Sequence, residues 1–261
     1  MKFAPNLHFM YSEHAFRDRF TAARADGFEA VEICFAYDVG LDEVGRALAD
    51  AGQRLISFNF PAGDLIPGVQ RGVGCLPGQE GVFAEQITEG LEWAQALDCP
   101  RGIAPLSGNM PAGEPRGAYE ATFIANLISA APRAAAAGVT LLVEPNNTQD
   151  QVGYFLRYLH EARHAVDAVG SAHVQMLFDS YHTQIMEGNL VARFNEHRDR
   201  IAHVQIGNVP GRHEPDLGEI DHRFLFAEMA RTGYDGWIAG EYIPAAGTSE
   251  GLAWLDRWSM R

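Results

Sequence analysis

The chain has 261 residues, 47% of them apolar and 21% charged, a globular balance that excludes a disordered or low-complexity protein. Twenty basic against thirty-four acidic side chains leave a formal charge of −14, which repels phosphate backbones and anionic lipid, so no nucleic-acid or membrane partner is expected. Three cysteines without C-x-x-C spacing, Cys34, Cys75 and Cys99, argue against a disulfide framework or structural zinc and for a reducing cytoplasm.

From the N-terminus onward, short β-branched or aromatic runs alternate with longer stretches of helical period. The pattern predicts strands near 3–9, 28–35, 54–60, 101–106, 139–144, 173–179, 201–206 and 237–242. It predicts helices near 13–26, 41–51, 80–98, 116–137, 152–169, 184–198, 222–232 and 248–258. Gly27, Gly52, Gly138, Gly170 and Gly233 each follow a helical stretch, where a left-handed cap favours glycine. The start Met-Lys-Phe-Ala-Pro-Asn lacks the basic-then-apolar pattern of a signal peptide. No apolar run reaches the roughly 18 residues of a membrane span. Strict strand–helix alternation implies parallel strands with helical crossovers. Eight units without an internal linker predict a single α/β domain over residues 1–261, a closed (β/α)8 TIM barrel. An open doubly wound sheet is disfavoured because no G-x-G-x-x-G follows the first strand. Two connections after strands, Pro61–Gln79 and Gly207–Ile220, are long. Both belong at the C-terminal mouth, where barrel sites are built.

Four strand ends carry a polar residue in an apolar run: Glu144, Asp179, Gln205 and Glu241. Side chains alternate along a strand, so Glu144 shares a face with Leu142 and Thr140, while Val139, Leu141 and Val143 occupy the other. Asp179 likewise lies opposite Val174, Met176 and Phe178. The uniformly apolar faces should meet the helices, which turns the four polar groups toward the barrel axis. A lone carboxylate at a strand end ordinarily caps a helix, but four of matching parity do not arise from capping alone. Three crowded carboxylates need a counter-charge. Three anionic oxygens with one amide oxygen form a hard site, suited to Mg²⁺ or Mn²⁺.

At these residues the sequence resembles the hydroxypyruvate isomerase family, within the xylose-isomerase-like barrels. The resemblance rests on Val143-Glu144-Pro145-Asn146-Asn147, Phe178-Asp179-Ser180-Tyr181-His182, His203-Val204-Gln205-Ile206-Gly207-Asn208 and Gly240-Glu241-Tyr242. Asn59–Asp64, Gly72–Gly78, Met186–Gly188 and Gly211–Pro215 extend it over nearly the whole chain. It implies a (β/α)8 barrel, a divalent metal on Glu144, Asp179, Gln205 and Glu241, and proton transfer by the paired glutamates 144 and 241 through a metal-stabilised enediolate. The expected reaction interconverts hydroxypyruvate and tartronate semialdehyde. A close branch isomerises 2-oxo-tetronate, and the more distant ketose 3-epimerases usually have His where this chain has Gln205. Other readings are a dehydratase acting on a cyclic keto-polyol and a non-catalytic sugar or keto-acid binding protein.

The resemblance also implies that His182 contacts a substrate oxygen; otherwise it caps the next helix. Arg212, in a long loop, is suited to hold a substrate carboxylate bidentately, with Glu214 beside it as a substrate contact or as a support for Arg212. Asn59 and Asp64 match a family segment but can also stabilise a tight turn. Asn6 and His8 are candidates for the pocket wall. His203 reads as a core histidine, Cys75 as packing, and Trp254 and Trp258 as packing or interface residues. The family commonly has a basic residue after Glu-Tyr, where this chain has Ile243. That departure weakens the case for an acid substrate and leaves room for an uncharged ketose. A small-molecule partner and a cytoplasmic location are expected; whether the chain is a homo-oligomer is left open.

Overall fold

Short apolar runs that alternate with helices pair as parallel strands, with the helices carrying the chain back over the sheet. A computed structural model, which describes residues 1–63, 72–104 and 106–258, has this arrangement. Its strands are β1 (Lys2–Pro5), β2 (Ala30–Ile33), β3 (Arg54–Asn59), β4 (Arg101–Ile103), β5 (Thr140–Val143), β6 (Val174–Asp179), β7 (Ile201–Ile206) and β8 (Trp237–Gly240). They form one eight-stranded parallel sheet in the order β1-β8-β7-β6-β5-β4-β3-β2. The ring is completed just past β1, where Asn6 bridges Glu32 of β2 and the Leu7 N–H donates to the Glu32 carbonyl at 2.8 Å. The fold is a TIM barrel, as the alternation predicts.

The helices are α1 (Phe16–Ala25), α2 (Leu41–Ala51), α3 (Glu80–Ala96), α4 (Arg116–Ala137), α5 (Leu159–Val169), α6 (Ser180–Met186), α7 (Leu190–His197), α8 (His222–Arg231), α9 (Thr248–Gly251) and α10 (Ala253–Arg257). No helix among the described residues is long and apolar enough to cross a membrane. Strand parity divides the core as expected. Leu141, Val143, Met176 and Phe178 pack with the helices in the main core. Leu142 and Leu177 join Ile103 in a separate cluster inside the barrel. Glu144 and Asp179 each lie two residues beyond one of these interior leucines.

Several predicted boundaries need correction: the strand near 101–106 ends at Ile103, the helix near 248–258 is split into α9 and α10, and three further departures lie on the side of the mouth. The strand predicted near 3–9 ends at Pro5, and residues 7–14 form turns. The helix predicted to begin near 152 begins at Leu159. Before it, the Asn147 side-chain oxygen accepts the Gln149 and Asp150 N–H groups at 3.0 and 2.8 Å, a local turn that competes with helix. The helix predicted over 184–198 is two helices. α6 starts directly after β6, and the chain breaks at Gly188 and Asn189, with φ of 64° and 50°.

Phe60, fully buried, fills space left by two glycines. A Cβ on Gly102 of β4 would come within 2.0 Å of the Phe60 ring, and one on Gly90 of α3 within 2.3 Å. Gly102→Ala is therefore expected to destabilise the protein by about 1–3 kcal/mol through overpacking. Urea unfolding should show the loss, and combining the substitution with Phe60→Leu should restore part of it.

The long loop after β7 is pinned from beneath by buried His222. Its Nδ1 donates to the Pro215 carbonyl at 3.0 Å, so Nε2 accepts the Ser180 hydroxyl at 2.9 Å. Burial lowers this imidazole to about 4. The unfolded chain then takes up a proton that the folded one refuses, so stability falls as pH drops from about 6.5 toward 4. About 3 kcal/mol is at stake. Urea midpoints at pH 7 and 4.5 should differ accordingly, and His222→Asn should remove that component.

Candidate active site

The polar strand ends meet at the C-terminal mouth. Asp179 and Gln205 are register partners on β6 and β7. Glu144 and Glu241 each lie one residue past the end of β5 and β8. All four are buried, Gln205 completely. Above them a cavity of about 330 Å³ is lined by Glu144, Glu241, His182, Arg212, Asn59 and Gln151, with Phe9, Phe35 and Leu106 among its apolar walls.

Asp179 has two tasks. Its Oδ1 caps α6 by accepting the Tyr181 N–H at 2.7 Å, while Oδ2 lies 3.2 Å from Arg212 Nη2. The same Nη2 donates to Glu241 Oε2, and Arg212 Nε donates to the Glu241 carbonyl at 3.0 Å. Arg212 has a left-handed backbone, φ 55°. Its guanidinium lies between the Phe9 and Tyr181 rings, 4.6 and 4.8 Å from their centroids, a placement that favours a cation.

Burial and crowding govern the ionisation of these groups. Burial, reinforced by Glu241 and Asp179, pushes Glu144 well above the usual carboxylate range. Burial also raises Asp179, against the pull of Arg212 and the Tyr181 and His182 N–H groups. Glu241 is pushed up to about 8 by burial, opposed by Arg212 and reinforced by Asp179. Burial disfavours the Arg212 charge, but Glu241, Asp179 and Glu144 outweigh it and hold the guanidinium protonated.

His182, expected either as a loop cap or as a substrate contact, lies in the first turn of α6 and is buried. Its Nδ1 accepts the Asn147 N–H at 3.2 Å, and the Asn147 amide lies 2.7 Å away. A nitrogen that accepts a backbone N–H carries no proton, so the proton is on Nε2. Nε2 lies 3.6 Å from Asp179 Oδ2 and 3.8 Å from Glu144 Oε1. Glu144, Asp179 and His182 thus form a cluster able to hold a metal, with ligand atoms within 4.8 Å of one another. With its proton on Nε2, however, His182 serves as a hydrogen-bond donor to an oxygen.

The sequence reading missed Glu32 of β2. This fully buried carboxylate accepts from Asn6 at 2.8 Å and Gln205 Nε2 at 2.7 Å through Oε1, and from His203 at 2.6 Å and Ser57 through Oε2. Burial would raise it, but His203, Ser57 and Gln205 outweigh burial and hold the carboxyl below the usual range. Asn6 also reaches Glu241 Oε1 at 3.4 Å, and Cys34 Sγ lies 3.7 Å from the same atom. The missed signal was parity: Ala30, Glu32 and Cys34 alternate inward through an apolar run. Gln205 Oε1 is buried without a hydrogen-bond partner among the described residues. Three carboxylates and this orphaned amide oxygen form a donor set that fits a hard divalent cation.

The other expected residues divide. Asn59 lines the cavity, whereas Glu214 does not. The Glu214 carboxylate accepts the Ala245 N–H at 3.0 Å, which steadies the segment after β8. Asp64 lies outside the described residues. Ile243 is half exposed and does not line the cavity. Its backbone N–H donates to the Arg212 carbonyl at 2.7 Å.

Residues 20–258 match the family model described as xylose isomerase-like TIM barrel. The chain is 45% identical to a 2-oxo-tetronate isomerase of Cupriavidus necator over 100% of its own length and 99% of that protein. It is 36% identical to a hydroxypyruvate isomerase of Escherichia coli, covering 98% of each. A crystal structure of a Brucella melitensis protein called AP endonuclease, family 2, superposes with a TM-score of 0.94 at 39% identity, covering 98% of both chains.

The His182 tautomer predicts a separable defect. His182→Leu should lower kcat by about 100-fold or more, within the usual scale for a lost acid–base group. Mn²⁺ affinity by calorimetry should stay within a few-fold of the wild type. Loss of Mn²⁺ affinity in parallel with kcat would make the imidazole a ligand instead.

Proposed function

The chain belongs to the hydroxypyruvate isomerase/2-oxo-tetronate isomerase family of xylose isomerase-like TIM barrels, and from that premise we propose that it is a 2-oxo-tetronate isomerase. The observation that carries the choice is a pair of unpartnered acceptors. Asn59 Oδ1 and Gln151 Oε1 are buried without a hydrogen-bond partner among the described residues, and both residues line the cavity. Buried acceptors of this kind select ligands that bring hydroxyl donors. A four-carbon 2-oxo-tetronate brings two hydroxyls, three-carbon hydroxypyruvate only one. The identity to the Cupriavidus necator protein supports the same choice. The Escherichia coli relative favours hydroxypyruvate as a second reading.

The chemistry is shared by both substrates. A proton leaves C3 and arrives at C2, while the hydroxyl proton moves from O3 to O2. A divalent cation, Mg²⁺ or Mn²⁺, held by Glu144, Asp179, Glu241 and Gln205 Oε1, would draw off charge developing on the two oxygens. Glu144 and Glu241 flank the cavity and carry the C–H proton between carbons. His182 donates from Nε2 to a substrate oxygen, and Arg212 faces the substrate carboxylate between its two aromatic rings. Phe9, Phe35 and Leu106 limit access of water.

Proton NMR in D₂O with metal-supplemented protein tests this reading. Solvent deuterium should enter C2 of the product, and kcat/KM for 2-oxo-tetronate should exceed that for hydroxypyruvate by at least about tenfold, one lost hydrogen bond's worth of discrimination. Gln151→Leu should narrow the gap, and Glu241→Gln should nearly abolish turnover of both. A preference for hydroxypyruvate would favour the second reading, and wild-type turnover by Glu241→Gln would remove the proposed proton carrier.

A further inference from the structure

Glu32 is the buried acid that the proposed reaction leaves without a role. It is fully buried and, like Asp179 and Gln205, does not line the cavity. Its two oxygens receive four donors. Asn6 Nδ2 and Gln205 Nε2 point to Oε1, and Ser57 Oγ and His203 Nε2 to Oε2. A carboxylate ringed by donors has only acceptors to offer. A side-chain amide facing it must therefore turn its NH₂ end inward.

That requirement has a consequence at Gln205. A glutamine amide has two ends of nearly equal size and opposite polarity, and rotation by 180° exchanges them. Only the oxygen end can face a cation. In the structure Nε2 donates to Glu32 at 2.7 Å, and Oε1 is the buried atom left without a partner among the described residues. We propose that Glu32 is a positioning residue, which by accepting from Gln205 Nε2 fixes the amide with Oε1 toward the metal-binding carboxylates. The inference rests on the reading of the rim as a divalent-metal site.

The chemistry of position 205 supports this division. Asp179 and Glu241 carry their own charge, and rotating a carboxylate exchanges one oxygen for another. Gln205 is the neutral donor of the set, so it alone has a wrong end to present. Ser57, Asn6 and His203 hold Glu32 from three further strand positions, which leaves the acceptor no freedom to follow a flipped amide. His203 thus acts in the barrel floor, two residues before Gln205 on the same inward face.

Calorimetry of Mn²⁺ binding to the metal-free protein tests the proposal without relying on turnover. Glu32→Gln should bind Mn²⁺ about 10- to 100-fold more weakly than wild type, the usual range for a lost outer partner of a metal ligand. Glu32→Gln/Gln205→Glu should recover most of that loss. A carboxylate at 205 has no wrong end, and the new amide at 32 can donate to it. A purely structural role for Glu32 would leave the double variant as weak as the single one. Unchanged affinity in Glu32→Gln, or no recovery in the double variant, would overturn the proposal while leaving the metal reading intact. Failure of the wild type to bind Mn²⁺ would overturn the metal reading and this inference with it. Should the variants not fold, the Gln205 side-chain amide in wild-type protein decides the question. Its NH₂ protons should exchange slowly with solvent both with and without Mg²⁺, and fast exchange would overturn the proposal.

Discussion

Like charges buried together are the constraint around which this molecule is organised. Glu144, Asp179 and Glu241 come from three strands and converge, buried, at the C-terminal mouth of the barrel. In such a place burial raises the proton affinity of each carboxylate, and neighbouring carboxylates raise that of Glu144 and Glu241 further. The Arg212 guanidinium, held between two aromatic rings and bonded to Asp179 and Glu241, offsets part of that charge. The arrangement is tolerated because the barrel's stability comes from elsewhere, in the apolar layer between strands and helices and the smaller clusters inside the ring.

The contrast between Glu32 and the rim carboxylates shows how a fold separates a fixed charge from reactive ones. Glu32 receives four hydrogen bonds, which hold it ionised in complete burial. The rim groups receive fewer, and their proton affinity rises instead. Polar satisfaction around Glu32 and under-satisfaction at the rim lie within one connected network through Asn6.

Local structure and chemistry share residues here. Asp179 caps α6 with one oxygen and faces Arg212 with the other. Asn147 turns the chain with its oxygen and fixes the His182 tautomer through its backbone N–H. A strand-end Asp that caps a helix with one oxygen keeps the other for the site, because a carboxylate has two oxygens. The same economy explains why the helix boundaries depart from periodicity at 147–159 and 180–189, on the side of the mouth.

Period and parity in the sequence determined the barrel, the inward direction of Glu144, Asp179, Gln205 and Glu241, and the apolar faces opposite them. Those properties follow from backbone geometry that repeats every two or 3.6 residues, so they can be read without knowing which strands are neighbours. Glu32 obeys the same parity, yet its importance lies in contacts with Asn6, Ser57, His203 and Gln205 on three other strand segments, which no local pattern contains. The tertiary structure alone decided that Glu214 holds the segment after β8, that Ile243 stands clear of the cavity, and which end of the Gln205 amide is free. Each of these is a fact about where a flexible side chain finds a partner across the closed ring, and closure brings together residues such as Asn6 and Glu241, 235 positions apart.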